Sequence, residues 1–505
     1  MPQQPKSKEK EGIQVLTIIS KLIKSIQTYP KLYLFMLYFL LIIAPLIGNI
    51  FSGNVLLKGE ESYYHINQAK SITIHNWQYT PLYLAHKYLP LNALALLPRI
   101  LGLITIYYLY LTLKKIHPNQ NHQLIFLSLL MISPLFLYAF RTLSSIGLFL
   151  CLTSIGFYLF FLKHDLTKVS TNIYSTNISN SLSKQPSIQN ISLLSVIPFL
   201  VASSLEGSTT LFLLFIIIIL YIFYHKETNF PKHTCWILFL GISLSFIIHQ
   251  TLLPQSFFSS PFIEQNQWND AITDFGGIQG MGIFMFILGI IGFILLRKQH
   301  TLFYSTLLFL LVTIPIYIFN TSIVASIGIW FIFISSVALN YLVERTWTLQ
   351  KLKNFTILVI ILGLIFSTMT YSLRLSTRPP TPADVEVLSW VKDNLPKEQI
   401  IFTSPSIGNY VSYYSKHPVV STLQNSAEIR GNLTQKIYST AYITELFPLL
   451  EGYDISLLYI TPEMREFLPN DQNLLFLLKN ERFKLVYSTQ DTEMWLFTNK
   501  SSTQE

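Results

Sequence analysis

The sequence predicts an α-helical polytopic membrane protein of about 11 transmembrane helices, followed by a C-terminal extracytoplasmic α/β domain. Of its 505 residues, 51% are hydrophobic and 12% are charged, about half the charged share of an ordinary soluble domain. The acidic residues are concentrated near the C-terminus. Fifteen of the 26 follow residue 379, which leaves 11 for the first three quarters of the chain. This distribution excludes a soluble enzyme and a disordered chain.

Eleven apolar runs approach or reach the length that a bilayer core requires, and they define the predicted spans. The first run lacks the small-residue cleavage site of a signal peptide, so we expect it to be retained. The fifth and sixth are the shortest. In chain order the runs are Leu32–Phe51, Leu94–Leu113, Leu124–Phe140, Ile146–Leu162, Ile191–Leu205, Leu211–Tyr224, Cys235–His249, Met281–Leu296, Leu302–Phe319, Ile323–Val343 and Phe355–Tyr371.

Basic residues between the runs fall mainly on one side of the membrane. With a cytoplasmic N-terminus, 18 lie on the inner side and four lie on the outer side before residue 374. Cytoplasmic loops are enriched in Lys and Arg, and an odd number of spans then places the C-terminal domain outside. We therefore predict a multi-pass protein of the cytoplasmic membrane. The net charge of +9 reflects this topology and not binding to nucleic acid.

The chain divides into three regions. Residues 1–31 form a cytoplasmic segment that contains a predicted interfacial amphipathic helix, Ile13–Ile26. Residues 32–373 form the transmembrane domain, with a long first outer loop at residues 52–93. From residue 374 onward the composition becomes polar, and helical patterns alternate with β-prone runs, which is typical of an α/β domain.

The C-terminal domain, residues 374–505, is predicted from five β-prone runs that alternate with helical segments, among them a short helix that ends at Tyr414. The first helical segment covers Asp384–Leu395, and a turn at Ser404–Asn409 follows the first run. The β-prone runs are Gln399–Thr403, Pro418–Thr422, Ile455–Ile460, Lys484–Ser488 and Met494–Thr498.

Six carboxylates of the membrane region fall on the predicted outer side. Acids at a membrane surface are costly unless they are solvated, paired or bound to a cation. They are therefore either ordinary loop acids in water or members of a site that binds a divalent cation or supplies a general base. The six are Glu60, Glu61, Glu206, Glu264, Asp270 and Asp274.

The segment Gly59-Glu60-Glu61-Ser62-Tyr63-Tyr64-His65-Ile66-Asn67-Gln68-Ala69 follows the first span. It resembles the acidic, aromatic signature at the start of the first outer loop in GT-C fold membrane glycosyltransferases. The resemblance is closest to the catalytic subunits of archaeal oligosaccharyltransferases and to dolichyl-phosphate-sugar-dependent mannosyltransferases. It extends over the whole chain as architecture and implies a GT-C-like transmembrane domain.

The resemblance implies a sugar transfer from a polyprenyl-phosphate or polyprenyl-diphosphate donor. On the archaeal pattern Glu61 takes the metal-binding or base position. In the protein O-mannosyltransferase and aminoarabinose transferase branches a pair of acids leads the motif, which would give that role to Glu60. Both assignments stay open. A divalent cation, Mg²⁺ or Mn²⁺, would take hard oxygen ligands such as Glu61 with Glu206 or Asp270.

The transfer also needs positive charge for the departing phosphate, because negative charge develops there as the bond to the sugar breaks. The candidates at the outer membrane boundary are Arg141, Arg374 and Arg378. Their alternative role is to extend toward lipid headgroups. The candidate substrate-binding residues, whose alternative role is to anchor the chain at the interface, are Tyr63, Tyr64, His65 and Trp268.

Two departures from the family pattern bear on the acceptor and the metal. After Arg141-Thr142 the family's acidic residues are absent, and Leu143-Ser144-Ser145-Ile146 stands in their place. Where oligosaccharyltransferases carry Trp-Trp-Asp, this chain has Ser404-Pro405-Ser406-Ile407. A glycan, lipid or protein hydroxyl acceptor is therefore favoured over an Asn sequon. The alternatives are a non-catalytic relative that binds lipid-linked sugar, an oligosaccharyltransferase proper, and a transporter or flippase.

Overall fold

A computed structural model describes most of the membrane region and of the C-terminal domain. The described residues are 28–70, 80–116, 119–174, 189–203, 213, 216–218, 235–244, 272–277, 280–319, 323–422, 429–467, 478–489 and 491–498.

Within these ranges the helices, in chain order, are α1 (Pro30–Phe51), α2 (Glu60–Lys70), α3 (Thr80–Tyr88), α4 (Leu91–Ile116), α5 (Gln120–Ile132), α6 (Pro134–Arg141), α7 (Ser145–Tyr174), α8 (Gln189–Ser203), α9 (Cys235–Leu244), α10 (Ile283–Leu296), α11 (His300–Phe319), α12 (Val324–Glu344), α13 (Gln350–Thr377), α14 (Pro382–Asn394), α15 (Gly408–Ser415), α16 (Ile429–Ser439), α17 (Ile443–Gly452) and α18 (Pro462–Phe467). The strands are β1 (Ile400–Phe402), β2 (Ile455–Ile460), β3 (Phe483–Ser488) and β4 (Glu493–Phe497).

The helices confirm a multi-pass membrane protein. Six described helices are long and apolar enough to cross a membrane, and α5 with α6 would make a seventh if this bent pair is one span. Ten of the eleven predicted runs overlap a described helix, while Leu211–Tyr224 lies mostly outside the described residues. The predicted number of 11 spans stays a prediction.

A break between α5 and α6 bends the third predicted span by 62°. Pro134 stands at the start of α6, where its missing N–H costs nothing, and the Ser133 hydroxyl accepts from the Phe136 N–H at 3.2 Å. Helix α6 is buried along its whole length. The bend therefore directs a buried turn of helix, which ends at Arg141, away from the axis of α5.

The C-terminal domain contains a four-stranded sheet in the order β1-β2-β4-β3. Strands β1 and β2 are parallel, and the other neighbours are antiparallel. The predicted run Pro418–Thr422 is not a strand, because it makes a single bridge from Val419 to Ile401. The predicted helix at Asp384 begins two residues earlier, since Thr381 and Asp384 form a capping box.

One hydrophobic core joins the first outer loop to this domain. Leu57, Tyr63 and Ile66 belong to the same buried cluster as Val387 of α14 and Tyr410 of α15. A second core, under α16 and α17, lies against other residues of the sheet. Helix α2, although it belongs to the loop after α1, therefore packs into the core of the C-terminal domain.

The contact between α10 and α12 depends on a glycine. A Cβ added at Gly292 would lie 2.3 Å from the carbonyl oxygen of Ile334, whereas a Cβ added at Gly48 would meet nothing within 4 Å. We expect Gly292→Ala to lower stability by about 1–3 kcal/mol, because two backbones must separate. Gly48→Ala is the matched control and should not destabilise. Detergent-solubilised melting temperatures of both variants test this, and equal values would contradict the packing.

Candidate active site

Five consecutive residues, 58–62, attach the first outer loop to the rest of the protein. The Lys58 Nζ donates to the Pro380 carbonyl at 3.0 Å, and the Gly59 N–H donates to the Pro379 carbonyl at 3.1 Å. Gly59 has a φ of +83°, a conformation that side-chain-bearing residues rarely adopt. These bonds fix the start of α2 against the segment that leaves the last described membrane helix, α13.

The next residue, Glu60, holds α2 to the C-terminal domain. Its carboxylate accepts hydrogen bonds from the backbone N–H groups of Asn409 and Tyr410, the latter at 3.3 Å. Both donors lie in the first turn of α15, which has no side-chain cap from its own N-cap residue, Ile407. Burial raises the pKa of Glu60 to about 8, and the two backbone donors act in the opposite direction.

Glu61 faces the membrane helices instead. It accepts hydrogen bonds from the Tyr138 hydroxyl of α6 and from the Ser145 backbone N–H at 3.2 Å. Its Oε1 also lies 3.3 Å from His65 Nε2, one helical turn along α2. Ser145 is the first residue of α7, so the carboxylate stands at a helix N-terminus, where negative charge is favoured.

The electrostatics keep Glu61 ionised. Burial raises the pKa of its carboxyl, but His65, Tyr138 and the Ser145 N–H stabilise the anion and together hold the pKa below its usual value. The side chain is 20% exposed, so part of it stays accessible to a ligand. Glu61 is therefore a positioned, negatively charged and partly open group where α6 ends and α7 begins.

The structure separates the two acids that the sequence could not rank. Glu60 is bonded into α15 of the C-terminal domain, whereas Glu61 is bonded to α6 and α7 of the membrane region. Ser62 completes the attachment, because its hydroxyl accepts from the Leu143 N–H at 2.9 Å. The turn after Arg141 therefore contributes its backbone N–H groups to α2, although it lacks the acidic residues of the family pattern.

Arg141 is buried and fully engaged within the helix bundle. Its guanidinium donates to the Leu41 carbonyl of α1 and to the Ser372 hydroxyl of α13 at 2.7 Å. Four residues after Leu41 stands Pro45, which has no N–H to offer that carbonyl. Arg141 thus supplies the donor that a helical neighbour would otherwise supply.

The other two predicted phosphate ligands differ from each other. Arg374 donates to the carbonyls of Thr273 and Gly277, the latter at 3.3 Å, and so holds the turn at residues 273–277 against α13. Arg378 lies next to α13, where it interacts electrostatically with Tyr138 and Tyr371. Within the described part of the chain, no hydrogen bond engages the Arg378 guanidinium. Of the three arginines, Arg378 is therefore the one whose guanidinium no described hydrogen bond engages, and its charge acts on Tyr138, the residue that contacts Glu61.

The predicted substrate-binding residues are spread over three environments. Tyr63 is fully buried, and its hydroxyl bonds the Leu57 carbonyl and the Tyr414 hydroxyl, both at 3.0 Å. His65 is buried against Glu61, and Tyr64 lines a cleft between α2 and the C-terminal domain. Trp268 lies outside the described residues.

The predicted metal ligands are not brought together in the described part of the protein. Glu61 is there with His65, but no group of three or more His, Cys, Asp or Glu side chains occurs among the residues described. Glu206 and Asp270 lie outside those residues.

Sequence reasoning missed Tyr138 and Ser145, the two partners of Glu61 from the membrane helices. They lie 77 and 84 residues from Glu61, so no local spacing connects them. The sequence does contain a Ser133-Pro134 turn, which predicts that a new helix begins there. That helix carries Tyr138 about one turn before Arg141.

Comparison with solved structures reveals the fold. Archaeal oligosaccharyltransferase AglB from Archaeoglobus fulgidus, in complex with an inhibitory peptide and a dolichol-phosphate, matches with a TM-score of 0.59 at 10% identity, over 87% of this chain and 70% of that chain. The Archaeoglobus fulgidus oligosaccharyltransferase in complex with Zn and sulfate matches with a TM-score of 0.54 at 11% identity, over 92% and 72%. The chain has the GT-C fold.

A further match is weaker. ArnT from Cupriavidus metallidurans, bound to undecaprenyl phosphate, has a TM-score of 0.46 at 11% identity, over 93% of this chain and 97% of that chain. No family model and no curated protein matches the sequence. The GT-C fold confirms the predicted combination of a multi-pass helical region and a C-terminal domain with a small sheet. The side of the membrane on which that domain lies stays a prediction.

The geometry of Glu60 predicts a structural role that is separable from Glu61. We expect Glu60→Gln, compared with the wild type at a pH above the Glu60 pKa of about 8, to increase hydrogen exchange at the Asn409 and Tyr410 amides by about tenfold or more, because the neutral amide accepts these bonds more weakly than the ionised carboxylate. Glu445→Gln, at an exposed position of α17, is the matched control. Exchange measured by mass spectrometry on peptides covering α15 tests this. Unchanged exchange would show that Glu60 does not hold α15.

Proposed function

We propose that this chain is a membrane glycosyltransferase that transfers a sugar from a polyprenyl-phosphate-linked donor to an acceptor hydroxyl at the outer face of the membrane. The observation that carries the proposal is Glu61, an ionised carboxylate held by Tyr138 and the N-terminus of α7 at the outer ends of the membrane helices. The donor class also agrees with the GT-C fold, one of whose members was solved with a dolichol-phosphate.

In the proposed reaction the acceptor oxygen attacks the anomeric carbon while the bond from that carbon to the phosphate oxygen breaks. The hydroxyl proton passes to Glu61, and polyprenyl phosphate leaves with the electron pair of the broken bond. In-line displacement inverts the anomeric centre. Because the pKa of Glu61 is lowered, the group is a weak base that acts late, when the attacking oxygen has become strongly acidic.

The leaving phosphate needs a cation, and Arg378 is the best placed of the three predicted arginines. It lies beside Tyr138, the residue that bonds Glu61, and no hydrogen bond within the described residues occupies its guanidinium. Arg141 and Arg374 are engaged by backbone carbonyls, so both act as positioning residues in this proposal. A guanidinium offers paired donors that match two phosphate oxygens.

The acceptor is proposed to be a hydroxyl of a glycan, lipid or protein. The turn at Ser404–Asn409 forms a short 3-10 turn at Pro405–Ile407, and the hydroxyls of Ser404 and Ser406 lie 2.8 Å apart. This turn offers no aromatic or acidic side chain to an Asn sequon. We further propose the topology predicted from the basic residues, with the N-terminus in the cytoplasm and the C-terminal domain outside.

A divalent cation is part of the proposal only through residues that the structure does not describe. Glu61 with Glu206 or Asp270 would hold Mg²⁺ or Mn²⁺, and the ion would supply positive charge for the departing phosphate. Activity assays should therefore contain both ions.

We expect Glu61→Gln to reduce sugar transfer by about 10²-fold or more while donor binding is retained, because the amide cannot take the acceptor proton. Glu61→Asp should keep more activity than Glu61→Gln. The assay is sugar release from radiolabelled polyprenyl-phosphate sugars by purified protein, with donor binding measured in parallel. Glu445→Gln is the control, since that residue is exposed in the C-terminal domain.

Three results would contradict the assignment in different ways. Full activity of Glu61→Gln would remove this residue from the chemistry. Donor binding without turnover by the wild-type protein would favour a non-catalytic relative. Neither binding nor turnover across the donor panel would favour a transporter.

The hydrogen bond from Tyr138 makes a second prediction, on pH. This bond lowers the pKa of Glu61, so its removal in Tyr138→Phe should raise that pKa. An ionised Glu61 is required, so the wild-type rate should fall only as the pH drops below the ordinary glutamate range. The acid limb of the pH–rate profile should move to higher pH in Tyr138→Phe. An unmoved limb would show that Glu61 does not set it.

A further inference from the structure

A polar cleft of about 490 Å³ lies between α2 and the C-terminal domain. It is lined from α2 by Tyr64, Asn67 and Lys70, and from the domain mainly by residues between Asn409 and Thr422, Lys416 among them. None of the lining residues is acidic. Glu61 lies elsewhere on α2, so the cleft is distinct from the Glu61 site.

Two lysines that line this cleft, Lys70 and Lys416, both approach the ring of Tyr413. The Lys70 Nζ lies 4.1 Å and the Lys416 Nζ 4.4 Å from the centre of the Tyr413 ring. Lys416 has a φ of +61° and is the C-cap residue of α15. Lys70 comes from the last turn of α2 and also donates to the Asn67 side chain at 3.0 Å. The two helix ends therefore bring two ammonium groups together.

No carboxylate within the described ranges forms an ion pair with Lys70 or Lys416. The His86 ring is tilted by 51° to the Tyr413 ring at a centroid distance of 6.2 Å, and its buried Nδ1 has no hydrogen-bond partner in the described structure. Burial and the charge of Lys416 lower the pKa of Lys70 to about 8. An anion bound between the lysines would relieve this repulsion.

We propose that this cleft binds a phosphate group carried by the acceptor, with Lys70 and Lys416 as its ligands. Two ammonium groups supply six donors, which suits the several oxygens and the double charge of a phosphate better than a single carboxylate. The assignment to the acceptor rests on the proposed function, because it presumes that Glu61 marks where the sugar is transferred.

The geometry of α2 separates this phosphate from the donor's phosphate. Lys70 follows Glu61 by nine residues on one helix, which places them roughly 13 Å apart along its axis. The donor phosphate must stay beside the reacting carbon, near Glu61 and Arg378. The acceptor is therefore an extended molecule, such as a phosphorylated glycan or glycolipid, whose phosphate lies roughly 13 Å from the hydroxyl that receives the sugar.

Protection from acylation tests the site without any need for sugar transfer. Purified full-length protein is labelled with a lysine acylating reagent in the presence of inorganic phosphate, pyrophosphate, acetate or polyprenyl phosphate, and labelling of each lysine is read by mass spectrometry. We expect phosphate and pyrophosphate to protect Lys70 and Lys416, acetate to protect them weakly, and none of them to protect the exposed Lys392 and Lys484.

Variants then separate charge from folding. Lys70→Gln/Lys416→Gln should bind pyrophosphate roughly tenfold more weakly or worse, and Lys70→Arg/Lys416→Arg should retain binding. Lys392→Gln/Lys484→Gln is the control that removes the same charge elsewhere in the protein. Melting temperatures of all three show whether the protein still folds.

The outcomes distinguish this inference from the proposed function. An absence of protection, or equal protection of the control lysines, would overturn the phosphate site even if sugar transfer is found. Protection by polyprenyl phosphate alone would overturn the assignment to the acceptor. Protection by pyrophosphate in a protein without transferase activity would support the anion site and contradict the proposed function.

Discussion

The attachment of residues 58–62 is the constraint on which the candidate site depends. Lys58 and Gly59 bond the segment that leaves α13, Glu60 bonds the N-terminus of α15, Glu61 bonds α6 and α7, and Ser62 bonds the turn at Leu143. These bonds reach four separate parts of the protein, and a buried polar group without such a partner would cost stability. The position of Glu61 is thus specified by its four neighbours along the chain as well as by its own partners.

The geometry of α2 directs Glu60 and Glu61 toward different parts of the protein. Successive helical residues point about 100° apart, so a carboxylate bonded to the C-terminal domain is followed by one directed at the membrane helices. The same helix then brings Lys70, about two and a half turns later, to the cleft between α2 and the C-terminal domain. A single short helix therefore connects the proposed chemical site, the domain contact and the proposed phosphate site.

The sequence was sufficient for properties that depend on local pattern. Apolar run length predicted the membrane helices, and alternating β-prone runs predicted β1, β2, β3 and β4. It failed at Pro418–Thr422, where the β-prone run makes one bridge and no ladder. It also could not rank Glu60 against Glu61, because their partners are contributed by residues 77 to 350 positions away.

The arginines show the same limit. In the sequence, all three are cations near a predicted membrane boundary. In the structure, Arg141 donates to the Leu41 carbonyl, which Pro45 leaves without a donor, and Arg374 donates to the Thr273 carbonyl. Only their tertiary partners distinguish them from Arg378. The cleft lysines carried no motif at all, since Lys70 and Lys416 are 346 residues apart and meet through the packing of α2 on α15.

The central claim is that sugar transfer takes place between Glu61 and Arg378. A cryo-electron microscopy structure of the full chain with a polyprenyl-phosphate sugar tests it most directly. We expect the donor phosphate to lie against the Arg378 guanidinium. The anomeric carbon should lie within about 6 Å of the Glu61 carboxylate, which leaves room for one acceptor oxygen between them. A phosphate bound away from both residues, or at the opposite face of the membrane, would contradict it.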